Sequence, residues 1–296
     1  MKRAWVWGIS ILLIGGVVVI AGLFLATLLV VSPQHGCQAM WGDGVALLDL
    51  HGPIVEVDAL LEQIEEARRD DAVKAVVLRV NSPGGSVGSS QELFHALRRL
   101  DREKPLVASF GMMATSGGYY AGVAARKIFA LPGTATASIG VRMSHLDAEA
   151  LLQWSGLKPE ILKSGYFKDV GAMHRPMRED ERALLLGVLG DMHEQFRATV
   201  AERRGIPREQ LDPMADGRVM TGDAARAAGL IDAIGDLQDA INAAAAYAGL
   251  DPDPRVIHFE PQRPWWMALL GGRVRAAMQG VLAQFPLPGF GYYWLP

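Results

Sequence analysis

Ser116 stands in the run GMMATSGGYYAG (residues 111–122), between a threonine and two glycines, with two tyrosines following. A serine ahead of Gly-Gly at the head of a helical stretch is ordinarily an N-cap, its hydroxyl accepting an amide of the first turn. The same hydroxyl is a nucleophile for acyl transfer when a neighbouring base takes its proton. The local pattern does not choose between the two. Ala114 fills the first glycine position of G-x-S-x-G, so the nucleophile-elbow signature is absent.

A nucleophile needs a base. The histidines (His35, His51, His95, His145, His174, His193 and His258) are scattered and none sits in a motif, yet triad members need not be close in sequence, so a Ser–His pair stays open. Lysine is the other solution. Its ordinary pKa of about 10.4 must fall to about 7–8, which burial without a carboxylate partner achieves. Lys163 and Lys168 in EILKSGYFKDV are flanked by Ile, Leu, Tyr, Phe and Val, so both are candidates in a segment expected to be largely buried. The alternative is that both side chains reach the surface.

A second glycine-rich turn, VNSPGGSVGSS (residues 80–90), follows an apolar run and opens a helical stretch, where free amides favour an anion. It lacks the lysine of G-x-x-x-x-G-K-[ST] and the spacing of G-x-G-x-x-G, so nucleotide binding is not expected. His193-Glu194 continues HEQFR without the second histidine of a zincin helix and reads as a solvated helix face.

The elements that would carry these residues alternate. VALLDL (45–50), VKAVVLRV (73–80) and PLVASF (105–110) read as strands, the second of buried type; VDALLEQIEEARRD (57–70) and SQELFHALRRL (90–100) read as helices. A long helix is expected from near Met177, with Pro176 at its head and Glu179, Asp180 and Glu181 at its positive end, to Gly205. The alternation runs to about Gly235 and predicts an α/β domain with a largely parallel sheet.

Composition narrows the function. The chain of 296 residues carries 29 basic against 32 acidic side chains, a net charge of -3, which gives no basic face for nucleic acid. The single Cys37 precludes an internal disulfide and a cysteine metal cluster, and no metal or other cofactor is expected. From Ala4 to Val31 there is no charge, long enough for the roughly 20 residues of a membrane span and too long for a signal-peptide centre of about 7–15. Trp5 and Trp7 suit an interfacial belt, and Lys2 and Arg3 precede the span while the next basic residue is Arg68. The positive-inside rule then places the N-terminus in the cytoplasm and the remainder across the membrane. The expected organisation is a cytoplasmic tip, anchor and start of linker over 1–36, a catalytic domain over 37–250, and an apolar, aromatic tail over 251–296. Within that tail Arg273 and Arg275 argue against a second span and leave an interfacial helix or a subunit contact.

Four blocks (VNSPGGSV; MATSGGYYAG with KIFALPGTATASIGV; LKSGYFKDVG; DGRVMTGDAARAAGLIDAIG) together resemble the signal peptide peptidase A family of membrane-anchored serine proteases, in its short, single-unit form. The resemblance spans Val80 to Gly235 and implies the Clp protease/crotonase-like α/β fold. It implies Ser116 as nucleophile and Lys168 as general base of a Ser–Lys dyad, Ser138 as a support for the lysine, and the amides of Gly85 and Gly117 as the oxyanion hole. It also implies a homo-oligomeric ring at the bacterial inner membrane, acting on signal-peptide remnants or other apolar membrane-derived peptides. Ala114, Val123, Met112 and Met113 near the serine are expected to form pockets for small and aliphatic side chains. Two other classes share parts of the pattern: a crotonase-type enzyme acting on acyl thioesters, which needs the glycines but not Ser116 or Lys168, and a scaffold without catalysis.

Overall fold

A computed structural model describes residues 42–259 and 290–293. The expected anchor, Cys37 and most of the tail lie outside the described residues. Chain order is β1 (Gly44–His51), α1 (Asp58–Arg69), β2 (Val73–Ser82), β3 (Gly84–Ser86), α2 (Val87–Glu103), β4 (Leu106–Thr115), α3 (Gly117–Gly122), β5 (Lys127–Ala130) and β6 (Ala135–Ala137). It continues with β7 (Arg142–Met143), α4 (Glu149–Ser155), α5 (Glu179–Arg204), α6 (Arg208–Leu211), β8 (Val219–Met220), α7 (Gly222–Ala227), β9 (Ala233–Ile234), α8 (Leu237–Tyr247), β10 (Val256–His258) and β11 (Phe290–Tyr293).

Successive side chains of a strand point to opposite faces, so a strand covered on both faces must be apolar throughout. β2 meets that demand over its middle, Ala75 to Leu78. Val76, Leu78 and Val80 join one core with Leu93, Leu97 and Leu100 of α2 and Phe196 and Val200 of α5. Ala75 and Val77 join a second core with Ala240, Ile241, Ala244 and Ala245 of α8. The sheet order is β10-β1-β2-β4-β5-β9, every neighbouring pair parallel. The chain is thus a mixed α/β domain built on a parallel-rich sheet, as the alternation predicted. A parallel sheet collects its strand ends along one edge, and there β2 runs into β3 and β4 into Ser116.

The strand that delivers Ser116 is fixed at its start. Asp101, 7% exposed, accepts hydrogen bonds from the Leu106 amide at 3.0 Å and Arg126 Nε at 2.8 Å. The helix after Ser116 is fixed from beneath, since the fully buried Tyr119 hydroxyl donates to the Leu230 carbonyl at 2.8 Å. The long helix ends as expected, with Gly205 in the left-handed region at φ 63°.

Beside the main sheet lies an antiparallel trio ordered β3-β11-β7. Residues 290–293 of the tail are therefore a strand within this chain, so the expected interfacial helix does not include them. Gly84–Ser86 of the second glycine-rich turn is likewise a strand segment, paired with β11.

Candidate active site

Ser116 follows the last residue of β4, at φ 54° and ψ -117°. This half of the backbone map is costly for any residue with a Cβ, on the order of 1–3 kcal/mol, and persists only where the surroundings impose it. They do so here: the Ser116 amide donates to the Ala137 carbonyl at 2.7 Å, and its carbonyl accepts from the Tyr120 amide at 2.8 Å. The hydroxyl is free of structural duty. Ser116 is 1% exposed, caps no amide of α3, and its Oγ has no hydrogen-bond partner. A capping serine would show the opposite, so the backbone is strained to aim a hydroxyl that the fold does not use.

Two glycines meet at that hydroxyl's helix. A Cβ on Gly117 would stand 2.4 Å from Ser90 Oγ and 3.1 Å from the Gly85 amide nitrogen. A Cβ on Gly85 would stand 1.9 Å from the Ile54 carbonyl oxygen, closer than atoms can approach. Only glycine lets β3 lie between Ile54 and the start of α3, so two glycine-rich turns approach each other closely.

Ser138 lies on the other side of the bond from Ser116. Ala137 (φ 65°) and Ser138 (φ 55°) have positive φ like Ser116. Ser138 is 5% exposed; its amide donates to the Arg218 carbonyl at 2.9 Å and its hydroxyl to the Gly217 carbonyl at 3.2 Å. The structure so brings together Ser116, Gly117, Gly85 and Ser138.

Lys168 is placed differently. It sits in an exposed loop with Leu162 91% and Tyr166 62% exposed, so the expectation of a buried lysine segment is corrected within the single chain. The reason is that this loop is held by charge and not by a core. Lys163 Nζ donates to Asp169 at 2.5 Å, Asp169 pairs with Arg175 at 2.9 Å, and Arg175 grips Glu181 at 2.6 and 2.8 Å. Among the described residues Lys168 Nζ has no hydrogen bond or ion pair, and no histidine bonds to Ser116; His193 Nε2 lies 3.2 Å from the Ile139 carbonyl. Of the two candidate lysines, Lys163 is engaged by a carboxylate and Lys168 is not.

Glu181 was expected only to complement the dipole of α5. It is instead fully buried and also accepts the Arg178 amide at 2.9 Å. It lies six positions after Arg175, across a loop that follows no helical or strand period, so no sequence pattern announces the pair. Ala114 and Val123 are also core residues, 0% and 1% exposed, and line no pocket; Met112, 71% exposed, is free to contact a ligand.

The ion cluster has a pH signature. Hydrogen bonds from Arg175 hold the Glu181 carboxyl down, from 4.5 to about 2, and bonds from Lys163 and then Arg175 hold Asp169 below the usual carboxylate range. A depressed carboxylate contributes stability above its ordinary value and loses it as pH falls toward the folded value. The loop of residues 163–178 should therefore hold from neutral pH down to about 4.5 and loosen between about 4.5 and 2. Amide exchange of that loop, corrected for intrinsic rates, checks this; protection unchanged down to pH 2.5 contradicts it.

A family described as peptidase family S49 matches residues 98–251, a span that holds Ser116, Ser138 and Lys168. A putative protease of Synechocystis is 37% identical over 213 residues, covering 72% of this chain and 76% of the relative. The chloroplastic serine protease SPPA of Arabidopsis thaliana is 33% identical over 73% of this chain, and a putative signal peptide peptidase SppA of Enterococcus faecium is 33% identical over 75% of it. The chain spans 32% of the Arabidopsis protein's length and 65% of the Enterococcus protein's.

Proposed function

The chain belongs to peptidase family S49, and from that premise we propose that it is a membrane-anchored serine endopeptidase working through a Ser116–Lys168 dyad. The observation that carries the proposal is the strained, buried and unpartnered Ser116 hydroxyl. Ser116 Oγ attacks a peptide carbonyl while neutral Lys168 takes its proton; the lysine then protonates the leaving amine, and water cleaves the acyl-enzyme. The Gly85 and Gly117 amides receive the oxyanion, and Ser138 orients the lysine. The Lys168 side chain, exposed in the single chain, turns toward Ser116 on a loop whose backbone stays in place, as catalytic contacts often tighten only when substrate binds.

The antiparallel trio supports an extended peptide as substrate. β11 pairs with Gly84–Ser86 on one side and Arg142–Met143 on the other, so the edge of the oxyanion strand accepts a chain in extended form. A substrate would displace it and pair in its place. The fold is read as Clp protease/crotonase-like. Residues 4–31 are read as a single span with the N-terminus cytoplasmic and the domain of residues 37–250 outside. A homo-oligomeric ring would admit only flexible chains, and signal-peptide remnants are the substrate class proposed. No cofactor enters this chemistry. Purified protein should cleave unfolded apolar peptides and spare folded soluble proteins; equal rates on both contradict the substrate class.

A further inference from the structure

We propose that Arg175 is a positioning residue for Lys168: by joining Asp169, the chain neighbour of Lys168, to the buried Glu181 at the head of α5, it fixes where the loop presents the lysine amine. The inference rests on the Ser–Lys reading.

The loop cannot be placed by packing, since its large apolar side chains face outward: Ile161 is 50%, Leu162 91% and Tyr166 62% exposed. Its own turns (the Lys168 amide to Gly165, Val170 to Phe167 and Ala172 to Asp169, each 3.1 Å) set its shape but not its position. Position requires a tie to something rigid. Arg175 supplies one by donating two bonds to Glu181, which is fully buried in the first turn of a 26-residue helix. The same guanidinium reaches back to the Asp169 side chain at 2.9 Å and to its carbonyl at 3.5 Å. One planar fork therefore spans the loop and the helix, a geometry that the point charge of a lysine does not reproduce. Other ties are single contacts: the Ala148 amide to the Met173 carbonyl at 2.8 Å, the exposed Tyr166 ring under Arg178 at 4.4 Å, and the Tyr166 hydroxyl to the Asp180 carboxylate.

Arg175 also sets the field at Lys168. Charged and titratable groups on the loop itself are Lys163, Asp169, His174 and Arg175; the head of α5 carries Arg178, Glu179, Asp180, Glu181 and Arg182; β7, α4 and the segments next to them carry Arg142, His145, Asp147, Glu149, Lys158 and Glu160. Removing Arg175 leaves Asp169 and Glu181 short of one shared cation. The added negative field favours the charged ammonium, so the pH at which activity appears should rise.

The test is the pH dependence of peptide cleavage by the full chain and its variants. Arg175→Ala should lower kcat on the order of 10²-fold with KM changed little, as misplacement of a catalytic group does. Its rising limb should move to higher pH by about half a unit, the effect of one unit charge some 6 Å away in water. Arg175→Lys should return the limb to its wild-type place and recover part of kcat. Asp169→Asn should move the limb the other way, and decides the matter if Arg175→Ala does not fold. A uniform loss in Arg175→Ala with an unmoved limb, or no loss at all, overturns the proposal. Lys168→Ala is the control: activity retained there overturns the dyad itself, whereas a dead Lys168→Ala beside an unaffected Arg175→Ala overturns only the role of Arg175.

Discussion

Ser116→Ala should abolish peptide hydrolysis, a loss on the order of 10⁴-fold or more as for other serine nucleophiles, while leaving the fold as stable as before or slightly more so. The two halves of this expectation come from one observation. The Ser116 hydroxyl is buried and unpartnered, and a buried polar group without a partner costs about 1–3 kcal/mol. Alanine removes that cost and keeps the Cβ that the strained backbone already accommodates. A capping serine behaves in the opposite way, losing about 1 kcal/mol on the same substitution. Thermal unfolding and peptide cleavage measured on one preparation therefore separate the two roles. Lys168→Ala should match Ser116→Ala in activity, whereas Lys163→Ala should be milder, because Lys163 serves the ion cluster with Asp169. A dead Lys163→Ala beside an active Lys168→Ala contradicts the assignment of the base.

Gly85→Ala should be the second severe change. The new methyl would stand 1.9 Å from the Ile54 carbonyl oxygen, a backbone atom that cannot rotate away, so β3 must shift. The Ser86 amide bond to Ile54 (2.7 Å) and the Ile54 amide bond to Gly84 (2.9 Å) strain with it. Overpacking of this kind costs about 1–3 kcal/mol. Displacing one oxyanion donor lowers the rate on the order of 10²–10³-fold. Loss of activity should therefore exceed what the fall in unfolding temperature explains. Gly88→Ala, whose methyl would meet nothing within 4 Å, is the matched control and should be nearly silent. Equal activity in Gly85→Ala and Gly88→Ala would remove Gly85 from the site.

The elements of the fold were legible because their causes are local. Val73–Val80 is apolar on both faces and became the central β2; Gly205 closed the long helix where a left-handed residue was needed. The site was less legible, because what decides it is non-local. Whether Ser116 caps or reacts depends on a φ of 54° imposed by Ala137, 21 residues onward, and neither alanine nor serine announces a left-handed backbone. The choice between Lys163 and Lys168 turns on which of them Asp169 engages, and their apolar neighbours gave the wrong expectation of burial because charge holds that loop. The pairing of Tyr292 with Gly85 joins residues about two hundred apart, beyond the reach of any periodic pattern.

The central claim is that Ser116 is the nucleophile, and covalent labelling reads it directly. Treating the active full-length protein with a serine-reactive phosphonate and mapping the adduct by peptide mass spectrometry should find one modified residue, Ser116, with labelling and peptide cleavage lost together over time. Ser116→Ala should take up no label. An adduct on another serine, or a fully active protein that remains unlabelled, would contradict the account.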